Sequence, residues 1–467
     1  MAVNTEMTSF RLKTTIAGLW TGNLFASFLV SGVAAMLPAM GLSLAASAAA
    51  LSLVMVCYNL GQSISHVLSG RICDIFGVKK VLMCGVALFC LLGLFLGLAP
   101  NMPLVIVSRF AQGMAAATIS CCVTALAVSL APSEKRGLVI STVMTAVYVG
   151  LAVGPLGCGA LTELVSWRAV FFIIALCGVG ELMLLHRVLP ADAPRTSRRH
   201  VDVPGFLLAA ASIACMTLGA TCTFLHPAVV LLLPLGGVLL YFFVRREWHS
   251  KDPMLDLKVL SKVPGLPAGM AATFINFGAF MGLSIFFSLY LQQVLGLNAF
   301  HAGMVLMVQS VAQTFVAPMA GRLADRFRPM LISSLGMVVC GVAVLLLMAL
   351  DEHSSVWMVV FFQIFLGIGA ALFVAPNMSA TLGGVPKEFM PVASGLLGCL
   401  RTLGGLMSNT VMSCMIGLFL GSASVGPDNA DVFLFAMRCV FVLFGAMSFF
   451  AAGIGIRSLM RDGAPRA

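Results

Sequence analysis

Long apolar runs recur along this chain of 467 residues and constrain its fold more than any other feature. A helix needs about 20 apolar residues to cross the hydrocarbon core of a bilayer, and about fourteen runs reach or approach that length. Only 9% of the residues are charged, against about 25% in a typical soluble domain, so the chain could not cover its own surface in water. The predicted spans lie near residues 14–40, 48–69, 81–99, 102–130, 138–162, 168–189, 205–222, 227–244, 264–294, 302–320, 330–350, 356–380, 389–421 and 431–456. The sequence therefore predicts an all-α polytopic membrane protein.

The placement of basic residues predicts the topology. The formal net charge is +10, and of the 27 Lys and Arg residues all but four fall in alternate inter-span segments or in the termini. The four exceptions are Arg109, Arg168, Arg401 and Arg438. Because Lys and Arg accumulate in cytoplasmic loops, we expect both termini to be cytoplasmic. The basic balance thus indicates orientation in a lipid bilayer, and no nucleic acid is expected as a partner.

The cysteines give no sign of a metal site. All 14 are scattered through the chain without a C-x-x-C pair or a Cys/His cluster, so we expect them to be small packing residues. No metal or other cofactor is predicted. A Ser/His/Asp triad and a phosphate-binding loop are also missing from the pattern, and an enzyme is therefore not expected.

Two short polar turns interrupt the apolar runs at matching places. The first lies between spans two and three and combines glycines, an acid and a cation: Gly70, Asp74, Gly77 and Lys79. The second lies between spans ten and eleven and has the same character: Gly321, Asp325 and Arg326. An Asp at a helix end can accept the free N–H groups of the next helix and attract a nearby cation. The two turns indicate matching hinges between membrane helices.

The spacing of the two turns predicts an internal repeat. Six spans, an inserted pair and six further spans reproduce it, and transporters commonly consist of two such repeated halves. We expect an N-terminal six-helix bundle at residues 1–190, an inserted helix pair with cytoplasmic linkers at 191–262, and a C-terminal six-helix bundle at 263–467.

The fourth span carries Arg109 and Gln112 in the run Arg109-Phe-Ala-Gln-Gly113. A charge at the centre of a bilayer costs about 2.5–3.5 kcal/mol on insertion scales, so such a side chain usually faces a cavity or a partner. Arg109 lies only about 10 Å into its helix, and it could instead extend outward to the membrane interface. We favour the first interpretation.

Glycines line one face of the fifth span. Gly150, Gly154 and Gly157 recur at helical spacing, Pro155 can kink the helix, and Gly159 follows. Such a face permits close approach of a neighbouring membrane helix.

Together these motifs resemble those of the major facilitator superfamily, and within it the fourteen-span drug:proton antiporters. The first turn is similar to the pattern G-x-L-A-D-R-x-G-R-K, with Ile75 where a cation is usual; the fourth span matches R-x-x-Q-G; and the fifth span resembles the exporter motif G-x-x-x-G-P-x-x-G-G, with Cys158 in place of a glycine. The resemblance covers nearly the whole chain. It implies the major facilitator fold, alternating access with the two polar turns as cytoplasmic gates, a pathway role for Arg109 and outward transport.

The first span departs from that family, whose members usually carry an Asp there for proton or cation binding. Here Asn23 and Ser27 are the nearest polar replacements. Glu181 in the sixth span is a candidate coupling carboxylate. Burial would raise its pKa, so that it could bind and release a proton during transport. We favour the plainer alternative that His186 and Arg187 keep Glu181 near the inner interface.

The remaining candidates for the pathway are polar side chains within later spans: Asn276, Gln363, Asn377 and Arg401. A large apolar surface with sparse polar groups suits an amphiphilic organic solute.

We therefore predict a secondary transporter of the plasma membrane, or of the inner membrane in a Gram-negative bacterium. It would export small hydrophobic or amphiphilic, drug-like compounds, with a proton as the coupling ion. A periplasmic adaptor is left open as a partner. The alternative is an organic anion exchanger or importer on the same fold, which the missing first-span acid and two inward arginines favour.

Overall fold

The computed structural model describes residues 9–46, 48–189, 192, 202–221, 227–250, 262–420 and 429–462. Within these ranges the chain is helical and has no strand. The long helices are α1 (Ser9–Leu44), α2 (Ala48–Phe76), α3 (Val78–Leu98), α4 (Met102–Leu130), α5 (Arg136–Leu164), α6 (Trp167–Val188), α7 (Val203–Thr221), α8 (Leu232–His249), α9 (Leu266–Val294), α10 (Ala299–Arg326), α11 (Pro329–Leu346), α12 (Val356–Gly383), α13 (Met390–Leu420) and α14 (Ala430–Asp462). Each predicted span coincides with one of these helices, which confirms the all-α polytopic fold.

Thirteen of the helices in the described ranges are long and apolar enough to cross a membrane. α2 spans 29 residues and carries Asn59, Gln62 and His66 in its middle. α9 is interrupted: Leu266–Phe280 and Leu283–Leu289 are followed by a π-helical turn at Tyr290–Val294. The interruption of α9 does not follow from the length of its apolar run.

Local sequence signals fix several helix starts. The side chains of Asn101, Ser166 and Asn298 accept backbone N–H groups in the first turns of α4, α6 and α10. These bonds satisfy donors that the first turn of a helix would otherwise leave unpaired. Gly77, with φ of 98°, separates α2 from α3 in a conformation that other residues rarely adopt.

The helices form one packing arrangement twice. Near the start of the chain α1 packs against α5 and α6, α2 against α4, and α3 against α4 and α6. Later α9 packs against α14, α10 against α12, and α11 against α12 and α14. Each later pair is an earlier pair moved eight helices along the chain. This recurrence agrees with the repeat inferred from the two polar turns.

Contacts divide the chain into two compact units. One comprises Met1–Val201 with Lys387–Gly395, and the other comprises Asp202–Pro386 with Leu396–Ala467. In the second unit α7 and α8 pack against each other, and Arg246 Nη2 lies 2.9 Å from Asp202 Oδ1. The predicted linkers flanking this helix pair lie largely outside the described residues. The division at residues 190 and 262 therefore stays a prediction.

Candidate functional site

The turn between α2 and α3 is packed closely within the first unit. A Cβ atom added to Gly70 would lie 2.8 Å from the Pro391 carbonyl oxygen, and one added to Gly395 would lie 2.5 Å from that of His66. Asp74 is buried, with 8% of its surface exposed. The glycines at these two positions are thus required by close backbone approach. The turn is therefore packed against its neighbours and is not a solvent-exposed loop.

A residue that the sequence did not single out holds the start of α3. The Asp192 carboxylate accepts the backbone N–H groups of Lys79 at 2.9 Å and Lys80 at 3.1 Å. Lys79 Nζ in turn donates to the carbonyl oxygens of His186 and Leu189, just after or within the last turn of α6. We expected Asp74 to accept the free amides of α3, but at Lys79 and Lys80 Asp192 does so. Only the tertiary fold brings this residue back to α3.

Gly77 is also fitted to Asp192. A Cβ atom added to Gly77 would overlap the Asp192 side chain, and the backbone there has a positive φ. Both observations exclude a side chain at this position. The glycine, the cation and the distant acid therefore form one contact between the ends of α3 and α6.

The second polar turn is more open. In the second unit α10 ends at Arg326, where Gly321 is buried, Asp325 is half-buried and Arg326 is exposed. The Arg326 guanidinium lies 5.8 Å from the centroid of the Phe327 ring. The two turns thus share their residue types but differ in burial.

Arg109 of α4 is completely buried and does not extend to the surface. Its Nη1 donates to Gln112 Oε1 at 2.6 Å, and its guanidinium carbon lies 4.1 Å from the centroid of the Tyr58 ring on α2. Nε and Nη2 have no hydrogen-bond partner among the described residues. Within the part of the chain that the structure describes, an amide and an aromatic face hold this cation without an acid, and donors are left available for a ligand.

The glycine face of α5 lies directly on the backbone of α1. A Cβ atom added to Gly150 would lie 2.8 Å from the Leu24 carbonyl oxygen, and one added to Gly154 would lie 2.5 Å from that of Phe28. One added to Gly157 would lie 2.8 Å from the Phe28 ring. The helices approach so closely because these side chains are missing.

The other members of this α5 motif have different surroundings. Pro155 lies within the helix without ending it, and Gly159 has room, since the nearest atom to an added Cβ is 4.0 Å away. On the α1 side Asn23 and Ser27 are buried, with 4% and 8% of their surfaces exposed. Ser27 packs against Gly150. These two polar side chains of α1 are therefore buried.

Glu181 of α6 is buried against α1. Only 6% of its surface is exposed, and a Cβ atom added to Gly22 would lie 2.5 Å from its Oε1. That oxygen has no hydrogen-bond partner among the described residues. His186 and Arg187 are exposed near the end of the helix. Glu181 is thus buried inside the first unit, and its position relative to the inner membrane interface stays a prediction.

The second unit contains the remaining predicted side chains. Asn377 on α12 donates to the Gly269 carbonyl oxygen at 3.0 Å and to Thr273 Oγ1 at 2.8 Å. Asn276 Nδ2 lies 3.0 Å from Met337 Sδ. Both amides therefore join α9 to a neighbouring helix in this arrangement. As pathway residues they would have to exchange these partners for a ligand.

Gln363 and Arg401 differ from those amides. Gln363 is completely buried, and neither its Oε1 nor its Nε2 has a hydrogen-bond partner among the described residues. Arg401 on α13 is half-buried, with its guanidinium carbon 5.9 Å from the centroid of the Phe277 ring. In the repeat Gln363 takes the place of Arg109, four residues before a glycine that packs on the neighbouring helix. A buried amide with both ends unpaired is a candidate ligand contact.

An apolar cavity of about 270 Å³ lies between α1, α5 and α6 in the first unit. Only apolar surface lines it, contributed by Leu24, Phe25, Phe28, Val149, Val153, Leu161, Val170, Ile173, Ile174 and Cys177. It adjoins α1 just after Gly22 and Asn23. No sequence motif pointed to it, because its lining residues look like ordinary residues of apolar spans.

A polytopic helical protein with a repeated six-helix arrangement and buried polar side chains in its spans has the architecture of a membrane transporter. The model of the Major Facilitator Superfamily matches residues 19–409. The chain belongs to this superfamily of transporters and is not an enzyme.

Several curated proteins are similar over most of their length. The uncharacterized transporter YebQ of Escherichia coli K12 is 27% identical over 421 residues, covering 88% of this chain and 89% of that protein. The multidrug resistance protein Stp of Mycobacterium tuberculosis is 27% identical, covering 90% and 78%. The tetracenomycin C resistance and export protein of Streptomyces glaucescens is 26% identical, covering 84% and 73%.

A solved structure supports the fold. The proton:xylose symporter XylE superposes with a TM-score of 0.68 at 15% sequence identity, covering 98% of this chain and 96% of that one. At this identity the likeness concerns the fold alone.

Proposed function

We propose that this chain exports small hydrophobic or amphiphilic, drug-like compounds in exchange for protons. The observation that carries the proposal is the contact of Gly150 and Gly154 with the α1 backbone, because these glycines belong to the motif that marks exporters in the family. Relatives named for multidrug resistance and for tetracenomycin C export support it. The apolar character of the spans suits solutes of this kind.

Transport would proceed by alternating access, with the two polar turns as cytoplasmic gates. In the first gate Gly70 packs on the Pro391 backbone and Asp74 is buried, while Gly77 and Lys79 contact Asp192. Gly321, Asp325 and Arg326 form the second gate. Opening on the cytoplasmic side requires such contacts to break and re-form in each cycle.

The pathway would offer few polar contacts within an apolar surface. Arg109 and Gln112 in the first unit and Gln363 in the second have unpaired polar atoms among the described residues, and they are the strongest candidates. Asn23 and Ser27 would contribute from α1. Asn276, Asn377 and Arg401 are weaker candidates, since the two amides already have partners.

We place the protein in the plasma membrane, which is the inner membrane in a Gram-negative bacterium, with both termini cytoplasmic. This orientation rests on the alternation of basic segments along the sequence. A periplasmic adaptor stays open as a partner.

Cellular accumulation tests the proposal. In a bacterial strain without its own efflux pumps, the chain should lower the accumulation of ethidium and tetracenomycin C, and a protonophore should abolish the difference. Cells that carry Arg109→Ala at the same abundance in the membrane should accumulate both compounds to the level of cells without the transporter. Equal accumulation with and without the wild-type chain would contradict export.

The second candidate is an organic anion exchanger or importer. It is favoured by the buried Arg109, whose guanidinium faces no acid among the described residues, and by the first span, which lacks an acid. Counterflow of a fluorescent organic anion in proteoliposomes distinguishes the two. An internal pool of the unlabelled anion should accelerate uptake of the fluorescent anion by an anion exchanger, but not by an exporter of apolar compounds.

A further inference from the structure

Glu181 has an unusual position for an acidic side chain in this protein. Among the described residues it is the one acid that lies more than a full turn from both ends of its helix, seven residues before Val188, or roughly 10 Å. Asp74, Asp325 and Glu247 lie in the last turns of their helices. Glu181 is therefore the acid that a membrane would cover most fully.

The neighbours of Glu181 carry no compensating charge. α1 presents Gly22 and has no charged residue from Thr14 to Leu44, and Ile119 of α4 packs beside the same Gly22. α3 packs the neutral Cys90 side chain against Gly178, three residues before Glu181 on α6. No ion pair of Glu181 occurs within the described part of the chain, and its Oε1 lacks a hydrogen-bond donor there.

The charged groups on the surrounding helices are remote along those helices or exposed. Lys79 and Lys80 lie in the first turn of α3, and Arg109 lies ten residues, or about 15 Å, from Ile119 along α4. On α5 the charged residues are Arg136 and Glu163, at its two ends. On α6 itself His186 and Arg187 are exposed one to two turns further on.

This environment couples the charge of Glu181 to the packing of α1. An ionised carboxylate without a partner is strongly disfavoured in an apolar interior, so the protonated form is the stable one while α1 covers it. When α1 and α6 separate and water enters, the ionised form becomes accessible. A group that changes its protonation state with the opening of a helix contact can bind a proton on one side of the membrane and release it on the other.

We propose that Glu181 binds the transported proton and so takes the place of the acid that the first span lacks. The inference rests on the proposed proton-coupled export. One proton adds to a carboxylate oxygen, forming an O–H bond, and the same proton leaves to the opposite side while the carboxylate regains its charge. No other bond changes.

The apolar cavity is where we expect substrate to bind near Glu181 and to compete with the proton. Cys177 lines the cavity and lies four residues before Glu181, on the same face of α6. Leu24 and Phe25 of α1 line it next to Gly22. A lipophilic cation seated there would lie about one helical turn from the carboxylate and would favour its ionised form.

Infrared difference spectroscopy tests the proton site without any substrate. The reconstituted wild-type protein should show a protonated-carboxyl C=O band that disappears as the pH is raised, and Glu181→Gln should lack that band. Glu163→Gln removes an exposed acid at the end of α5 and should retain it. A titrating band that survives in Glu181→Gln would overturn the inference.

Substrate binding supplies the second test. With ethidium as the probe, the affinity of the wild-type protein should change by about tenfold per pH unit across the titration of Glu181, since one proton is displaced per molecule bound. Glu181→Gln should bind ethidium with no such pH dependence and should move no protons in proteoliposomes. If Glu181→Gln keeps full proton-coupled transport, the inference fails while export by proton exchange stands. If the wild-type protein exports ethidium without proton movement, the proposed coupling fails as well.

Discussion

At the scale of single residues, a buried charge in the first unit is held by protein contacts other than an ion pair among the described residues. Arg109 is fully buried with a glutamine at 2.6 Å and an aromatic face at 4.1 Å. A cation over an aromatic ring gains about 0.5–2 kcal/mol, more when it is shielded from water. The sequence identified the arginine and the glutamine. It could not identify Tyr58, which lies on another helix.

Substitution of Tyr58 tests this contact. Tyr58→Leu should lower the melting temperature of the detergent-solubilised protein and reduce transport, because the lost cation–π contact is worth about 0.5–2 kcal/mol. Tyr58→Phe is the matched control: it keeps the ring, and the hydroxyl has no partner among the described residues. Equal losses in both variants would show that the hydroxyl, and not the ring, is what matters.

Asp192 offers a second prediction at this scale. Asp192→Ala should destabilise the protein by about 0.5–2 kcal/mol, since it removes the acceptor for two amides at the start of α3. Asp192→Asn keeps an oxygen acceptor and should lose much less. Thermal unfolding in detergent measures both changes. A normal melting temperature for Asp192→Ala would contradict the role of this cap.

At the scale of helices, the sequence predicted the elements well and their contacts only in part. Apolar runs of about 20 residues have few alternatives to a membrane helix, so α1–α14 could be placed in advance. The π-helical turn at the end of α9 and the burial of Glu181 on Gly22 depend on tertiary packing. For the same reason the amide Asn377 could be named but not its bonds to Gly269 and Thr273.

The contact of α5 with α1 gives a prediction for this scale. Gly154→Ala should destabilise the protein by about 1–3 kcal/mol and impair transport, because the added methyl group would meet the α1 backbone and push the helices apart. Gly159→Ala lies on the same helix where an added Cβ meets nothing closer than 4.0 Å, and it should be silent. Thermal unfolding and ethidium export measure both effects. Equal tolerance of the two substitutions would contradict the close contact.

At the scale of the whole molecule, the two units repeat one arrangement but have diverged in their polar residues. The pairs α2–α4 and α10–α12 both pack through a glycine, Gly113 in one and Gly367 in the other. Four residues earlier in each case stands a buried polar side chain, an arginine in the first unit and a glutamine in the second. At this position the charge is thus present in one repeat only, and the first unit also holds Glu181. We therefore expect proton coupling to reside in the first unit and the second to contribute mainly neutral contacts.

Proton-driven transport in proteoliposomes tests the central claim most directly. With purified protein in liposomes and an imposed pH gradient, ethidium should accumulate on the acidic side, and the lumen should lose protons as ethidium enters. Collapse of the gradient by a protonophore should stop both movements. Ethidium accumulation that is indifferent to the pH gradient, or proton movement that does not depend on ethidium, would contradict proton-coupled export.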